Sequence, residues 1–572
     1  METKVFKKLP YGNSDFRDIR LNNYAYVDKT RYIAQLEQEN NRNMFFIRPR
    51  KFGKSLLFTT LSYYYDINGA DEFEALFGDL YIGQHPTPER NSLAVLKFDF
   101  SGLDTKTADR FTTSFGYKVQ SCVCDFFDKY SNLIPNSAAL IEQLEKDKRG
   151  VDSILRVINA AHSNNFRIFI LIDEYDHFAN DLIALGTQTG TDVYHEMVSA
   201  NGIVRDFYEN IKMGAKDSTF YRTFITGISP IMLDDLTSGY NIGNKLTLKA
   251  QYNEMMGFTR QEVEALMVIT GVDPKLITID MEKYYNGYLF SEDGKNRVYN
   301  PTMVLYIFSR ILEDKKPPEK IIDDNLKTDY GRLGKLTQND KNRQTLIGIM
   351  KDGGIEAPII SQFSLDMAYD DEYFVSQLFY LGLLTIRNVP LVHPFLMIPN
   401  YSIQTLYWDY LLKRINNSIP QQNISTLKLN SAMQSLAMEG KVDTFIRYVS
   451  ETVFSNLSDF DIRNFDEKYI QIMLLAYLFQ SGLYIPMSEY ETVPGRADIF
   501  LQRNPAIPVA KFEWLFEIKY SKVSDSDKDK ADIHKLGLEQ LAAYCNAKRM
   551  QGRPNLKAAL LHFTGKDEYE IT

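Results

Sequence analysis

The stretch "NMFFIRPRKFGKSLLF", residues 43–58, decides the fold class of the first half of the chain. Loops that cradle phosphate have the form G-x-x-x-x-G-K-[ST] and join a strand to a helix. Gly53, Lys54 and Ser55 supply the last three positions of that form. Arg48 stands where its first glycine belongs. The stretch is therefore either a nucleotide site with an altered first corner or a basic turn that contains GKS by chance.

Apolar strands alternate with helical patterns over the first 250 residues, which is typical of a parallel α/β sheet. A helix is predicted at 54–66, and strands are predicted at 43–49, 92–100, 166–173, 221–229 and 245–250. The third of these strands is almost entirely apolar, as expected of a strand that is buried on both faces. The sequence thus predicts a parallel sheet whose first strand leads into the GKS turn.

In "IFILIDEYD", Asp173 ends the third predicted strand and Glu174 follows it. In ATPases with a phosphate loop, the first such acid holds the magnesium shell, and the second can orient or deprotonate the attacking water. A solvated acidic strand end is the ordinary alternative, but it leaves the upstream strand–GKS–helix order unexplained. Thr226, near the end of the fourth strand, is placed where a polar side chain could contact a γ-phosphate.

Polar and charged stretches at about 312–345 and 416–426 indicate boundaries between parts of the chain. We predict an ATPase core (1–250), a helical lid with a charged linker (251–345), a small helical, winged-helix-like module with a hairpin (346–425) and a last domain (426–572). Thr259 and Glu262 have capping-box spacing at the start of a lid helix. The last domain has the predicted order α-β-β-β-α-β, with elements at about 461–480, 483–491, 496–502, 511–520, 528–548 and 556–563.

Composition limits the classes of function. The 572 residues are 44% hydrophobic and 24% charged, and the formal net charge is −9, so any nucleic-acid contact requires a local basic surface. The three cysteines lack paired metal spacing, so neither a disulfide framework nor a zinc site is predicted. Apolar runs are too short for a membrane span, and the start lacks a secretory pattern. We therefore expect a cytoplasmic protein.

Acidic and basic side chains alternate in the strands of the last domain. Glu517 and Lys519 are two residues apart in a strand and so face the same side, and Asp498 can lie beside them if the strands at 496–502 and 511–520 form a hairpin. Two carboxylates and a lysine on one face suit magnesium-dependent hydrolysis of a phosphodiester. An amphipathic strand with alternating charge is the ordinary alternative, since E-x-K alone is a weak pattern.

An ordered set of motifs resembles the AAA-ATPase-like family of bacterial proteins: "VDKTRYI", "FIRPRKFGKSLLF", "LIDEYD", "FITGISPI", "YYNGYLF" and "YNP". Members of that family usually carry a C-terminal nuclease domain of the PD-(D/E)XK superfamily. Their loop resembles R-P-R-[KR]-F-G-K-S, so the resemblance implies that Arg48 is a family trait. It also implies ATP and Mg²⁺ as cofactors, with Arg48 and Arg50 as further candidates for nucleotide contact.

The nuclease resemblance implies three more site residues. Such nucleases often place another metal-binding acid on the preceding helix, which indicates Glu467, with Glu491 as the competing choice. Gln540 and Tyr544 are four residues apart and share a helix face. They resemble the Q-x-x-x-Y element of RecB-type nucleases.

These patterns predict ATP-dependent or ATP-regulated cleavage of nucleic acid, in defence or mobile-element control. The expected partner is nucleic acid, with DNA favoured over RNA; a homo-oligomer stays open, and no membrane partner is expected. One alternative is a nucleotide-gated interaction protein whose nuclease fold only binds. A motor ATPase without cleavage is a third option.

Overall fold

The structure is a computed structural model. It describes residues 5–572 except 147–148, 186, 199–201, 233–241, 317, 319, 324–332, 335, 338, 363–370, 390, 419–425, 458–464, 494 and 506. Most of the linker predicted at 416–426 and part of the polar stretch at 312–345 therefore lie outside the described residues. The chain divides into two compact units, one of Met1–Lys315, Ile322–Ile349 and Gly354–Asn400, the other of Lys316–Ile321, Met350–Gly353 and Tyr401–Thr572.

A five-stranded parallel sheet forms the core of the first unit, as predicted. Its strands are β1 (Asn43–Ile47), β2 (Ala94–Asp99), β3 (Ile168–Asp173), β4 (Phe220–Gly227) and β5 (Asn244–Lys245). They lie in the order β2-β3-β4-β1-β5, and every pair is parallel. All residues of β3 are buried. In open sheets of this kind, ligands bind outside the carboxyl ends of the strands.

The fifth strand is shorter than the predicted 245–250, because a side-chain hydroxyl takes the place of a backbone carbonyl in its hydrogen bonds to β1. Leu246 still donates its N–H to the carbonyl oxygen of Phe45. The next donor of β1, the N–H of Ile47, is instead accepted by the Thr247 hydroxyl at 3.0 Å. A 3₁₀ turn follows at Ala250–Tyr252.

Helices surround the parallel sheet. The helix Arg260–Thr270 begins with the predicted capping box, in which Thr259 and Glu262 each accept from the other's backbone N–H. The α-helices before residue 400 are Phe16–Leu21, Arg31–Glu37, Lys54–Tyr65, Phe73–Phe77, Tyr81–Gln84, Ala108–Lys129, Ser137–Leu144, Ser153–Ser163, His177–Leu185, Thr187–Val198, Ile203–Lys216, Arg260–Thr270, Met281–Tyr285, Pro301–Asp314, Asp340–Asp352 and Asp371–Tyr380.

The first unit also contains a small antiparallel sheet, whose strands precede and follow the helix Asp371–Tyr380 in the chain. Its strands are β6 (Gly354–Glu356), β7 (Thr385–Arg387) and β8 (Phe395–Met397), in the order β6-β8-β7. β7 and β8 form the hairpin predicted after the helix.

The second unit is built on a mixed five-stranded sheet. Its strands are β9 (Tyr484–Glu491), β10 (Arg496–Arg503), β11 (Glu513–Ser521), β12 (Leu556–Thr564) and β13 (Glu568–Ile571), in the order β13-β12-β11-β10-β9. β11 and β12 are parallel, whereas the other neighbours are antiparallel. The α-helices are Tyr401–Ser418, Thr426–Gln434, Asp443–Thr452, Glu467–Gln480 and Asp527–Cys545.

The predicted α-β-β-β-α-β order is present, with one strand added at its end. β13 was missed because its residues, "EYEI", alternate between exposed and half-buried and include no apolar run. The helix predicted from about 461 begins at Glu467, after the N-cap Asp466. Residues 461–464 of that prediction lie outside the described residues.

Candidate functional site

The loop at 48–53 joins β1 to the helix Lys54–Tyr65, as the GKS pattern predicted. Its backbone has positive φ at Lys51 (67°) and at Gly53 (93°). Gly53 tolerates this left-handed conformation because it has no Cβ. The first N–H groups of a helix have no acceptor within the helix, and they point toward any anion that lies there. The turn therefore presents backbone donors at the carboxyl end of β1.

Three side chains converge at this edge of the sheet, although β4 separates β1 from β3. Lys54 Nζ donates to the carbonyl oxygens of Arg48 (3.1 Å) and Pro49 (3.0 Å). Ser55 Oγ donates to Asp173 Oδ2 at 3.2 Å. Burial lowers the pKa of Lys54, and the charge of Asp173 opposes that effect. Burial also raises the pKa of Asp173 to about 6.

This donor set fits a nucleotide with its magnesium ion. The ammonium group of Lys54 and the backbone donors complement phosphate oxygens, and Mg²⁺ prefers oxygen ligands such as the Ser55 hydroxyl and the Asp173 carboxylate. Arg50, which belongs to this loop, is half-buried, and its charge adds to the effect of burial in lowering the pKa of Lys54.

Glu174 has a strained backbone, with φ of 51° in a residue other than glycine. Such conformations cluster at functional sites. The N–H of Glu174 donates to Asp173 Oδ1 at 2.9 Å, and its carboxylate lies 3.5 Å from His177 Nε2. His177 Nδ1 in turn lies 3.1 Å from Asp181, and this interaction raises the pKa of His177. The second acid of the pair is therefore held beside a basic group that the sequence did not indicate.

The side chain of Arg48 makes its contacts inside the first unit. It is 1% exposed, and its guanidinium donates to the carbonyl oxygens of Ile47, Thr247 and Tyr252, each at 2.9 Å. Aromatic rings lie 4.2 Å from it on Phe46 and on Phe290. Because Nη1 and Nη2 donate inside the unit, the structure gives no support for a phosphate contact by Arg48, and we leave it out of the nucleotide site.

Thr226 is likewise engaged in the fold. Its side chain is fully buried, and Oγ1 donates to the carbonyl oxygen of Phe46 at 2.8 Å. The hydroxyl thus fastens β4 to β1. This arrangement does not support a γ-phosphate contact by Thr226.

A second cluster forms on the sheet of the second unit. Ile499 lies opposite Phe516 in the β10–β11 ladder, so extending the register by one residue places Asp498 opposite Glu517. Asp498 Oδ2 accepts from the N–H of Ile518 at 2.7 Å. Lys519 Nζ donates to Glu517 Oε1 at 2.8 Å. The predicted hairpin therefore does bring the two carboxylates and the lysine together.

The preceding helix adds Glu467 to this cluster, which we call the acidic cluster (Glu467, Asp498, Glu517 and Lys519). Glu467 Oε1 lies 3.6 Å from Lys519 Nζ. Glu491 is exposed and lies 3.5 Å from Arg496 instead. Of the two acids considered for this place, the geometry favours Glu467.

Burial dominates the electrostatics of the acidic cluster. Burial, followed by the charge of Glu517, raises the pKa of Asp498 to about 7. Burial raises the pKa of Glu517 as well, and Lys519 opposes that effect. Burial would lower the pKa of Lys519, but its hydrogen bond to Glu517 outweighs this and raises it. Lys519 is therefore protonated beside two acids that resist ionisation.

The acidic cluster fits a hard divalent cation. Among the described residues, Glu517 Oε2 is buried and has no hydrogen-bond partner. A cation would satisfy that oxygen and favour the ionised form of both carboxyls, and oxygen-only ligands are those that Mg²⁺ prefers.

Gln540 and Tyr544 lie on the helix Asp527–Cys545, which packs close to the acidic cluster. A Cβ at Gly537 would lie 2.9 Å from Lys519 Cγ, so this glycine permits the close approach. Burial, then the charges of Glu517 and Asp498, raise the pKa of Tyr544. Within the described residues, Gln540 Oε1 is another buried oxygen without a partner.

Two family models match this chain, one in each half. Residues 10–237 match the family model described as "Predicted AAA-ATPase", and residues 465–571 match that of the PD-(D/E)XK nuclease superfamily. The chain thus joins an AAA-ATPase-like domain to a PD-(D/E)XK nuclease superfamily domain. The resemblance noted in the sequence is confirmed, as is the mixed α/β fold class.

Similarity to individual proteins is more limited. The chain is 28% identical over 313 residues to an "Uncharacterized protein in vnfD 5'region" of Azotobacter chroococcum mcd 1, over 53% of this chain and 52% of that relative. The chain thus spans about half the length of the curated relative it matches. The ORC2 protein of Aeropyrum pernix, solved in ADPNP and ADP complexes, aligns with a TM-score of 0.32 and 10% identity over 72% of this chain and 97% of that one. So loose a likeness supports no argument about function.

Sequence reasoning missed supporting residues in both domains. In the ATPase-like domain, Asp176 accepts from the backbone N–H groups of Ile228 (3.1 Å) and Ser229 (2.8 Å), and so ties the end of β4 to the segment after β3. In the nuclease superfamily domain, Gln471 donates to the carbonyl oxygen of Asp498 at 2.6 Å. Asp176 stands in the quoted "LIDEYD", but no local pattern shows which acid of that motif is structural.

The part of the chain that the structure describes contains no helix that combines the length and apolar character needed to cross a bilayer.

Proposed function

We propose that this chain binds and hydrolyses ATP and thereby regulates or drives metal-dependent cleavage of nucleic acid by its nuclease superfamily domain. The observation that carries the proposal is the acidic cluster, in which three acids and a protonated lysine meet from β10, β11 and the helix Glu467–Gln480. The convergence of Lys54, Ser55 and Asp173 supports the nucleotide half.

The acidic cluster suggests a role for each of its residues. Asp498, Glu517 and Glu467 would hold Mg²⁺, which when bound supplies Lewis-acid activation of a phosphodiester and of water. Lys519 keeps its proton, so it can position a water molecule or stabilise negative charge that develops on the phosphate. Gln540 and Tyr544, on the helix that approaches Lys519 at Gly537, would orient the substrate.

In the ATPase-like domain, Lys54 would neutralise the β- and γ-phosphates, and Ser55 with Asp173 would hold the magnesium ion of MgATP. Glu174 would orient the attacking water or accept its proton. Arg50 remains a candidate contact to the γ-phosphate. The oxygens that now accept from Lys54 belong to the loop backbone, so phosphate oxygens would replace them as its partners.

Several parts of the proposal extend beyond the two domains. We favour DNA over RNA as substrate, a cytoplasmic location, and a role in defence or mobile-element control. Self-association into a homo-oligomer is compatible with the proposal. The net charge of −9 means that a local basic surface must carry the nucleic-acid contact.

A binding protein with a silent nuclease fold is the second candidate. One observation favours it: Lys519 Nζ is bonded both to Glu517 Oε1 (2.8 Å) and to the carbonyl oxygen of Ile518 (3.1 Å). Lys519 thus already neutralises Glu517, a carboxylate that a metal ion would need as a ligand.

Cleavage assays separate the two candidates. Plasmid, linear duplex and single-stranded DNA, and RNA, are incubated with the full chain in Mg²⁺ or Mn²⁺, with ATP, with ADP and without nucleotide. We expect metal-dependent cleavage that is lost in Asp498→Asn and kept in the matched control Glu491→Gln. The nucleotide dependence of the rate should disappear in Lys54→Ala. Absence of cleavage under every condition would favour the binding protein, and equal rates in the three nucleotide conditions would show that the sites are uncoupled.

A further inference from the structure

Two histidines and a glutamate meet near the β13 edge of the mixed sheet, which is the edge opposite β9. We call His534, His562 and Glu570 the histidine cluster; their ligand atoms all lie within 4.8 Å of one another. The three residues come from the helix Asp527–Cys545, from β12 and from β13. The cysteine pattern of the chain could not reveal this group, because no cysteine takes part in it.

Two of the three separations within the histidine cluster match those of a tetrahedral metal site, and the third is no more than 4.8 Å. His534 Nδ1 lies 3.3 Å from His562 Nδ1 and 3.5 Å from Glu570 Oε2. Zinc binds imidazole nitrogen and carboxylate oxygen at about 2.0–2.2 Å, so tetrahedral angles separate its ligands by about 3.3–3.5 Å. A single ion could therefore contact all three side chains after small adjustments.

The outward-facing ring nitrogens have the partners that a metal site requires. His562 Nε2 lies 2.7 Å from Ser521 Oγ, and His534 Nε2 lies 3.3 Å from Thr572 Oγ1. Metal-binding histidines almost always donate their second ring N–H to an oxygen, which fixes the tautomer and the ring orientation. With Nε2 protonated on both rings, the two Nδ1 lone pairs face one another, an arrangement that a bound cation stabilises.

The backbone holds this geometry in place. His562 and Glu570 are register partners in the antiparallel β12–β13 ladder, so their side chains share a face of the sheet. Lys519 is the register partner of His562 in β11, which places the histidine cluster one strand away from the lysine of the acidic cluster. His534 precedes by one turn the glycine, Gly537, that lets its helix approach β11 and β12 closely.

A serine hydrolase is the other chemistry that a Ser–His–acid group suggests, but Ser521 does not suit it. Ser521 is 1% exposed, so its hydroxyl cannot reach a substrate carbonyl. The contact from Ser521 to His562 is better explained as support for the ring.

We propose that His534, His562 and Glu570 bind one divalent transition-metal ion of the zinc type, with water in the fourth position. Imidazole nitrogen favours such ions, whereas Mg²⁺ prefers the oxygen-only acidic cluster. The ion ties the helix that carries Gln540 and Tyr544 to β12 and β13. The inference rests on the histidine cluster and stands whether or not the nuclease is active.

Metal titration of the untagged full chain tests this site. The protein is stripped with EDTA, dialysed, and titrated with Zn²⁺ by calorimetry and with Co²⁺ by absorption, in excess Mg²⁺ that occupies the oxygen sites. We expect about one equivalent of Zn²⁺, a visible Co²⁺ spectrum of tetrahedral intensity, and a rise in melting temperature with Zn²⁺. His534→Ala should weaken binding at least about a hundredfold, and Glu570→Gln at least about tenfold.

Matched controls separate metal loss from damage to the fold. Glu568→Gln changes another exposed acid of β13, His162→Ala removes a surface histidine of the first unit, and Asp498→Asn alters the acidic cluster; each should leave Zn²⁺ affinity unchanged. Glu570 is exposed, so Glu570→Gln keeps the test valid if a histidine variant misfolds. Absence of Zn²⁺ and Co²⁺ binding by the wild type would overturn the proposal. Equal affinity in the wild type and Glu570→Gln, with an unchanged Co²⁺ spectrum, would also overturn it.

Discussion

Asp498→Asn should stabilise the metal-free protein at alkaline pH, although it removes a residue of the proposed site. In the wild type, Asp498 Oδ2 accepts a hydrogen bond from the N–H of Ile518 at 2.7 Å. The amide oxygen of asparagine can accept the same hydrogen bond. Burial and Glu517 raise the pKa of Asp498 from 3.8 to about 7. One pKa unit corresponds to about 1.4 kcal/mol, so the folded state disfavours the ionised carboxyl by about 4 kcal/mol at most.

The sign of the pH dependence follows from that pKa. Between about pH 4 and pH 7 the folded state keeps a proton on Asp498 that the unfolded state has lost. The free energy of unfolding therefore falls as pH rises through this window, and the loss is complete above about pH 7. Asparagine does not titrate, so the variant should exceed the wild type by about 2–4 kcal/mol at pH 8 and by little at pH 4.5.

Calorimetric unfolding of the full chain in EDTA measures this difference. In a unit of this size about 1 kcal/mol shifts the melting temperature by 2–4 °C, so the transition of the second unit should rise by about 5–10 °C at pH 8. Mg²⁺ should then stabilise the wild type and not Asp498→Asn. Glu491→Gln, an exposed acid nearby, should change neither. A lower melting temperature for Asp498→Asn at pH 8 in EDTA would refute the claim that this carboxylate is held ionised against its preference.

Three further predictions concern the ATPase-like domain. Lys54→Ala should weaken ATP binding about 10- to 100-fold in calorimetry, because a hydrogen bond to a charged group contributes about 1.5–3 kcal/mol; Lys51→Ala, in the same loop, is its control, and equal affinities would contradict the assignment. Glu174→Gln should bind ATP normally but hydrolyse it at least about 100-fold more slowly, as expected for loss of a general base. Unchanged turnover would mean that another group activates the attacking water. Arg48→Met should lower the free energy of unfolding by about 3 kcal/mol or more, because three buried carbonyls lose their donor, while the folded protein keeps its ATP affinity; a selective loss of ATP affinity would restore Arg48 to the site.

Local sequence patterns were enough to predict the main strands and helices of both domains. Alternation of strand and helix predicted the parallel sheet, and the GKS spacing predicted the turn after β1. Residues two apart in a strand share a face by geometry alone, so Glu517 and Lys519 could be paired without a structure. The capping box at Thr259 is local in the same sense.

Contacts between distant parts of the chain could not be predicted in this way. Arg48 fits the loop pattern, yet its partners Thr247 and Tyr252 lie about 200 residues away, and only the packed unit shows that Nη1 and Nη2 donate to them. Both Glu467 and Glu491 suited the resemblance, and the approach of a helix to Lys519 distinguished them.

The sequence by itself determined the order of elements, the phosphate-loop turn and the pair of acids at the end of β3, because each depends on residues within about ten positions of one another. Tertiary structure alone decided which polar groups are buried, which are satisfied and which converge. Those properties depend on desolvation and on hydrogen bonds between elements, as for the raised pKa of Asp498. The histidine cluster is the clearest case, since His534, His562 and Glu570 become neighbours only when β13 pairs with β12 and the preceding helix packs across them.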